Sequence, residues 1–214
     1  MVFYGATTYL NSIIISAVSM NRYSHSGIQF KSDDPFTVKG ITYAPGVYIT
    51  HATEQNSFKG VHIQLLENVE FYYSIISKHM ILGVNADVLS NRLQELMDHW
   101  AYTDYSVMSL LNPFYWNVDK PTYGIGVICT TYQLIYLQSI MPGYTKVYVI
   151  SPAKLQSTLL NDTIRFRQTV LYSEKNFNHT LSVALVYVII FAMLLLTFLL
   201  YGYVKARLIY SITL

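Results

Sequence analysis

A chain of 214 residues holds one domain of ordinary size. With 12% charged residues against about 25% in a typical soluble domain, it is charge-poor. The 14 basic and 12 acidic residues give a net charge of +2 with no block of either sign, which excludes the electrostatic footprint of a nucleic-acid binder, and a single cysteine excludes an intramolecular disulfide.

The first 21 residues lack a basic start and an apolar run free of Asn and Ser, so no cleavable signal is expected there. Between Gly27 and Val84 short apolar alternations recur: Ile28/Phe30, Phe36/Val38, Val47/Ile49, Val61/Ile63/Leu65, Val69/Phe71/Tyr73 and Met80/Leu82. Polar residues such as Gln29, Lys31, Thr37 and His62 fall between them, which is the period-two pattern of half-buried strands. Turn formers separate the runs at Ser32-Asp33-Asp34-Pro35, Ala44-Pro45-Gly46 and Gln55-Asn56-Ser57. The expected fold is mainly β, an antiparallel sandwich, barrel or jelly roll with one or two packed helices.

The period then changes. Val88, Leu89, Leu93, Leu96, Met97 and Trp100 share one helical face, with Asn91, Arg92, Gln94, Glu95 and Asp98 opposite. Asn85 or Asp87 is the expected cap of this helix, which would pack across the sheet. The run Tyr105 to Trp116 predicts a short helix or a loop stopped by Pro113. Phe114, Tyr115 and Trp116 in succession cannot all face one core, which makes them the candidate partner contact. Strands are expected near Gly124–Thr130, Gln133–Leu137 and Lys146–Ile150. A helix from Pro152 capped by Ser151 follows, and then a last strand over Ile164–Tyr172.

From Leu181 to about Val204 the chain runs without a charge, a proline or a side-chain amide. At about 1.5 Å per residue this length crosses a hydrocarbon layer of about 30 Å. Tyr201 and Tyr203 lie at its end as an aromatic belt, and Lys205 and Arg207 follow as a charged stop. The reading is therefore an extramembrane β-rich domain over 1–175, a juxtamembrane segment and transmembrane helix over 176–204, and a short basic tail over 205–214. The basic tail favours a cytoplasmic C-terminus and an exported domain, whereas the lack of a signal favours the reverse. Export would make Asn161 and Asn178, each in an Asn-X-Thr triplet, candidate glycosylation sites.

No catalytic template is completed. Tyr123-Gly124-Ile125-Gly126 lacks the third glycine of a dinucleotide fingerprint, and Cys129 is flanked by Val127, Ile128 and Thr130 as a buried thiol would be. The six histidines follow no metal-site spacing, although His51 and His62, if placed on neighbouring strands, would be able to share a metal with Glu54 or Glu67. Asp33 and Asp34 belong to a turn, and Arg165 and Arg167 alternate on one strand face before the membrane.

No enzymatic activity and no cofactor is expected. The expected partners are the lipid bilayer and other protein subunits of a larger assembly. The 20 tyrosines against 2 tryptophans supply rings suited to strands and interfaces. The favoured reading is a minor structural protein of a membrane-containing virion, linking shell and bilayer. The alternatives are an accessory single-span subunit of a respiratory or other membrane complex, located in an organellar membrane, and a membrane-tethered enzyme or ligand-binding domain.

Overall fold

The computed structural model describes residues 1–5, 22–55, 58–103, 128–141, 151–171 and 174–212. Strands β1 (Val2–Gly5), β2 (His25–Ser32), β5 (Gly46–Gln55), β6 (Phe58–Leu65), β7 (Ser74–Ile81) and β8 (Phe166–Val170) form one antiparallel sheet in the order β6-β5-β2-β1-β7-β8. Strands β3 (Phe36–Val38) and β4 (Ile41–Tyr43) make a separate hairpin, whose turn residues Lys39 and Gly40 both have positive φ, 47° and 81°. Their handedness suits a two-residue hairpin turn. The described helices are α1 (Leu66–Tyr72), α2 (Ala86–Trp100), α3 (Cys129–Ile140), α4 (Pro152–Asn161) and α5 (Glu174–Ile212).

Alternation along the strands gives the large sheet two different faces. Phe3, Ile28, Tyr48, Ala52 and Ile76 point to one, where Leu93, Leu96 and Met97 of α2, Tyr132 and Leu137 of α3, and Leu155 and Leu159 of α4 complete the main core. Val2, Tyr4, Ile49 and Ile75 point to the other and meet Val69 and Tyr73 at α1. At about 25 cal/mol per Å² of apolar area, the larger core dominates the folding energy.

The mainly antiparallel expectation holds. Among the described residues the sheet does not close into a barrel: β6 and β8 remain its two edges, and helices rather than a second large sheet face it. Tyr102 and Thr103 cover part of the β6 edge, Val61 donating to the Thr103 carbonyl at 3.1 Å and accepting from the Tyr102 amide at 2.8 Å.

Both expected helix caps form. Asn85 Oδ1 accepts from the Asp87 amide at 2.7 Å, and Ser151 Oγ accepts from the Lys154 amide at 3.2 Å. The other end of α2 is closed from the hairpin turn, where Lys39 Nζ donates to the carbonyls of His99 and Ala101 at 3.3 and 2.7 Å.

Two expected strands are helices instead. Val69/Phe71/Tyr73 reads as alternation, but Val69 is on the buried face of helix α1, Phe71 is 75% exposed on it, and Tyr73 is its buried, extended C-cap. Gln133–Leu137 belongs to α3, whose buried positions 129, 132, 133, 136, 137 and 140 repeat with helical spacing. The sequence hides this face because Tyr132, Gln133 and Tyr136 are polar residues at core positions. In the described part of the expected Gly124–Thr130 strand, residues 128–130, Ile128 is the N-cap of the same helix and residues 129 and 130 open it. The remainder of that strand, the Tyr105–Trp116 segment with the contact candidates Phe114, Tyr115 and Trp116, and the Lys146–Ile150 strand lie outside the described residues.

Helix α5 runs 39 residues without interruption. Val183–Lys205 has a mean hydropathy of 3.0 and is long and apolar enough to cross a membrane. Leu181, Tyr201, Tyr203 and Lys205 are all exposed on it, and Arg207 is in its last turns. Within this stretch Thr197 Oγ1 donates to the Met193 carbonyl four residues back at 2.8 Å and so needs no outside partner. The helix touches the domain at β7, and Val183 is buried.

Candidate functional site

The side chains best placed for polar chemistry cluster on the α1-covered face, where three adjacent strands bring Tyr4 (β1), His25 (β2) and His51 (β5) together in full burial. Tyr4 and His25 are register partners. His51 lies beside Gly27, and the absence of a Cβ there is required: one would meet Ile49 Cγ2 at 2.7 Å and His51 Cβ at 3.2 Å.

The hydrogen bonds fix how the ring is protonated. His51 Nε2 is 3.0 Å from Gln64 Oε1, so that nitrogen carries the hydrogen and donates. His51 Nδ1 is then the lone-pair nitrogen, accepting from the Tyr4 hydroxyl, with His25 Nε2 at 3.1 Å. Tyr73 closes the cluster, stacked on His25 at 5.8 Å between ring centres and edge-on to Tyr4 at 4.9 Å.

Burial disfavours charging either ring. It holds His51 at about 4, with the Gln64 acceptor opposing the shift and His62 adding to it, and pushes His25 well below the usual imidazole range, aided by His51. A neutral network with these atoms engaged suits holding three strands in register better than attacking a substrate.

His51 and His62 are cross-strand partners, as the sequence led one to expect. Glu67 is exposed on α1, and both ring nitrogens of His51 are already engaged. Among the described residues no three His, Cys, Asp or Glu side chains converge as a metal site requires. Cys129 is buried, and burial raises its thiol to about 11 against an opposing Ser26 hydrogen bond, so it is no ready nucleophile. Asn161 is exposed at the end of α4, and Asn178 falls within α5.

A second place was missed entirely by the sequence reading. β1 is shorter than the strands beside it: its pairing with β2 ends at Val2 and Gly27, and its contact with β7 ends where the Met1 and His79 backbones exchange hydrogen bonds of 2.8 and 2.7 Å. Beyond that point Ile28–Ser32 pair only with β5, and Met80 and Ile81 only with β8, among the described residues. A cavity of about 510 Å³ lies there between β2 and β7.

Ile28 and Phe30 from β2, Leu89 and Leu93 from α2, and Tyr136 from α3 give the cavity an apolar lining, with Gln29, Lys31, Lys78 and His79 as its polar groups. Both ring nitrogens of His79 and the side-chain oxygen of Gln29 are buried without a hydrogen-bond partner. Burial holds His79 at about 4. No protein family, curated protein or solved structure matches the chain. The two places therefore have to be judged on their chemistry alone.

Proposed function

We propose that this chain is a membrane-anchored assembly protein, acting through binding rather than catalysis: α5 holds the β-rich domain on a bilayer, and the domain presents surface to neighbouring protein subunits. The observation that carries this reading is the Val183–Lys205 stretch, apolar on all sides and only 6% buried against the rest of the chain. A core helix of that length would hide most of its surface. Burial of Val183 and contact of α5 with β7 seat the domain at the beginning of the apolar stretch, as a module fixed close to its membrane would be.

Within this class we favour a minor structural protein of a membrane-containing virion, joining shell and bilayer, over an accessory subunit of an organellar complex. The saturated Tyr4–His25–His51–Gln64 network supports a scaffold more than a reaction centre.

Chemical crosslinking in the native membrane followed by mass spectrometry tests the reading. Crosslinks to other protein subunits are expected, with shell protein and lipid co-purifying in the virion case. Crosslinks confined to lipid and to further copies of this chain would defeat the assembly role. Companion subunits carrying redox cofactors would move it to the organellar alternative.

A further inference from the structure

Arg165 and Arg167 stand out in the sequence ahead of the apolar helix, and the anchoring role gives them no task. The structure separates the two. Arg165 Nε is tied to Asp162 at 2.5 Å, whereas Arg167 is exposed and forms no ion pair among the described residues. Arg167 and Thr169 pair with Met80 and Lys78 across the β7–β8 ladder, and Lys78 pairs on its other side with Val2, which belongs to the α1 face. Alternation therefore sets Arg167 and Lys78 on that face, on neighbouring strands and one step apart, neither with a carboxylate partner among the described residues.

β8 is also an open edge. The Leu171 amide bonds the Ile76 carbonyl and the Leu82 amide bonds the Arg165 carbonyl, at 2.8 Å each, so the odd-numbered residues of β8 face β7. The amides and carbonyls of Gln168 and Val170 point the other way and meet no strand among the described residues. At the opposite edge, by contrast, Tyr102 and Thr103 clasp β6. Val170 is 55% exposed beside the open edge, and Ile164, in the turn before β8, is 87% exposed.

Position decides what meets this edge. α5 touches β7, and Val183, where the apolar stretch begins, is buried. β8 lies one strand spacing, about 5 Å, from β7, and the headgroup layer of a bilayer is about 5–8 Å deep on each side. Side chains of β8 therefore reach headgroups when α5 spans the membrane, and this placement rests on the membrane-anchor part of the proposed function. Hydrocarbon depth is excluded, because unpaired amides and carbonyls need water or polar groups. A strand added by another protein is disfavoured by the five-residue length of β8 and by the charge of Arg167, both features of edges that resist strand addition.

We propose that the β8 edge rests on the headgroups of anionic lipids, with Arg167 and Lys78 against their phosphates and Ile164 and Val170 entering the interfacial layer. Cations beside exposed apolar side chains suit such a surface.

The test uses the full chain in nanodiscs of phosphatidylcholine alone or mixed with phosphatidylserine. Bimane is attached in turn at Ile164→Cys, Val170→Cys, Ile41→Cys and Leu195→Cys, Cys129 being buried, and quenching by headgroup- and chain-spin-labelled lipids is recorded. Ile41 is exposed on the hairpin that Tyr43 ties to Tyr102 at the opposite edge and serves as the reference for no contact, while Leu195 reports the span. Headgroup quenching at Ile164 and Val170 should exceed that at Ile41 about threefold and rise with phosphatidylserine. Arg167→Glu combined with Lys78→Glu should remove most of that rise. Because the double variant can disturb folding, Arg167→Gln alone, at an exposed position, serves as the second variant and should remove a smaller part. Quenching of Leu195 by chain-labelled lipid with none at Ile164 or Val170 would overturn the inference and leave the anchor standing. Absence of quenching at Leu195 would defeat the anchor itself and the inference with it. Equal quenching with and without phosphatidylserine, or indifference to both variants, would also overturn it. So would protection of the Val170 amide from exchange only when a second protein binds, and that outcome would assign the edge to strand addition.

Discussion

The two ends of β1 place similar residues in opposite circumstances. At the Tyr4 end, three strands run side by side, and His51 finds a donor on one ring nitrogen and an acceptor on the other. At the Met1 end, the neighbours continue past β1, and His79 is left buried with neither nitrogen bonded. The two histidines thus differ in whether their buried ring nitrogens find partners, which separates a stabilising residue from a costly one. The pair can be tested by treating the two histidines identically.

The largest effect is expected from His51→Leu. It removes the partner that His51 gives to the Tyr4 hydroxyl, to His25 Nε2 and to the part-buried Gln64 oxygen, and at about 1–3 kcal/mol for a buried group deprived of its hydrogen bond the loss should be roughly 3–5 kcal/mol in denaturant unfolding. A loss below about 1 kcal/mol would show that the network has no structural weight.

Acidification should come next. The folded His51 titrates near 4 while the unfolded imidazole titrates near 6.5. Between those values the unfolded chain binds more protons, so stability is fully present above about pH 6.5 and is lost as pH falls towards 4. This group alone should account for about 3 kcal/mol, measured as a falling Tm from pH 7 to pH 4, and the His51→Leu variant should show a shallower fall.

His79→Leu should have the opposite sign to His51→Leu, a gain of about 1–2 kcal/mol, because it removes two unsatisfied nitrogens without orphaning a partner. A loss in ligand-free protein would erase the contrast between the two ends. The smallest change should follow Tyr4→Phe, a loss of about 1 kcal/mol, because the hydrogen bond to His51 Nδ1 disappears while that nitrogen keeps His25 Nε2 at 3.1 Å.

How legible all this was depended on how local the deciding physics is. Strands β2, β5 and β6 follow from alternation, and α2 and α4 from apolar spacing with Asn85 and Ser151 as caps, since each signal lies within a few residues of what it specifies. Helix α3 did not announce itself, because Tyr132, Gln133 and Tyr136 are core residues only in partnership with Thr50, Gly27 and Leu89, to which they are hydrogen-bonded. Helix α1 was misread because over seven residues periods of two and of 3.6 fit Val69 and Tyr73 equally well.

The His51–His62 pairing was readable as two adjacent strands. The partners that matter, Tyr4, His25 and Gln64, come from β1, β2 and β6, and only the strand order 6-5-2-1 brings them together. Gly27, whose missing Cβ makes room for His51, was the one local clue, and in a strand a lone glycine has many causes. The cavity near the other end of β1 is lined from β2, β7, α2 and α3 together, which no single segment encodes.

Helix α5 is continuous through the point where Val183 packs into the domain. A helix advances about 100° per residue, so the domain has a set compass bearing around the helix axis as well as a set height. One alanine inserted directly after Val183 would swing the domain through more than a quarter turn about the membrane normal while raising it by only about 1.5 Å. A partner lattice that reads orientation would notice this at once, and a partner that reads only proximity to the bilayer would not.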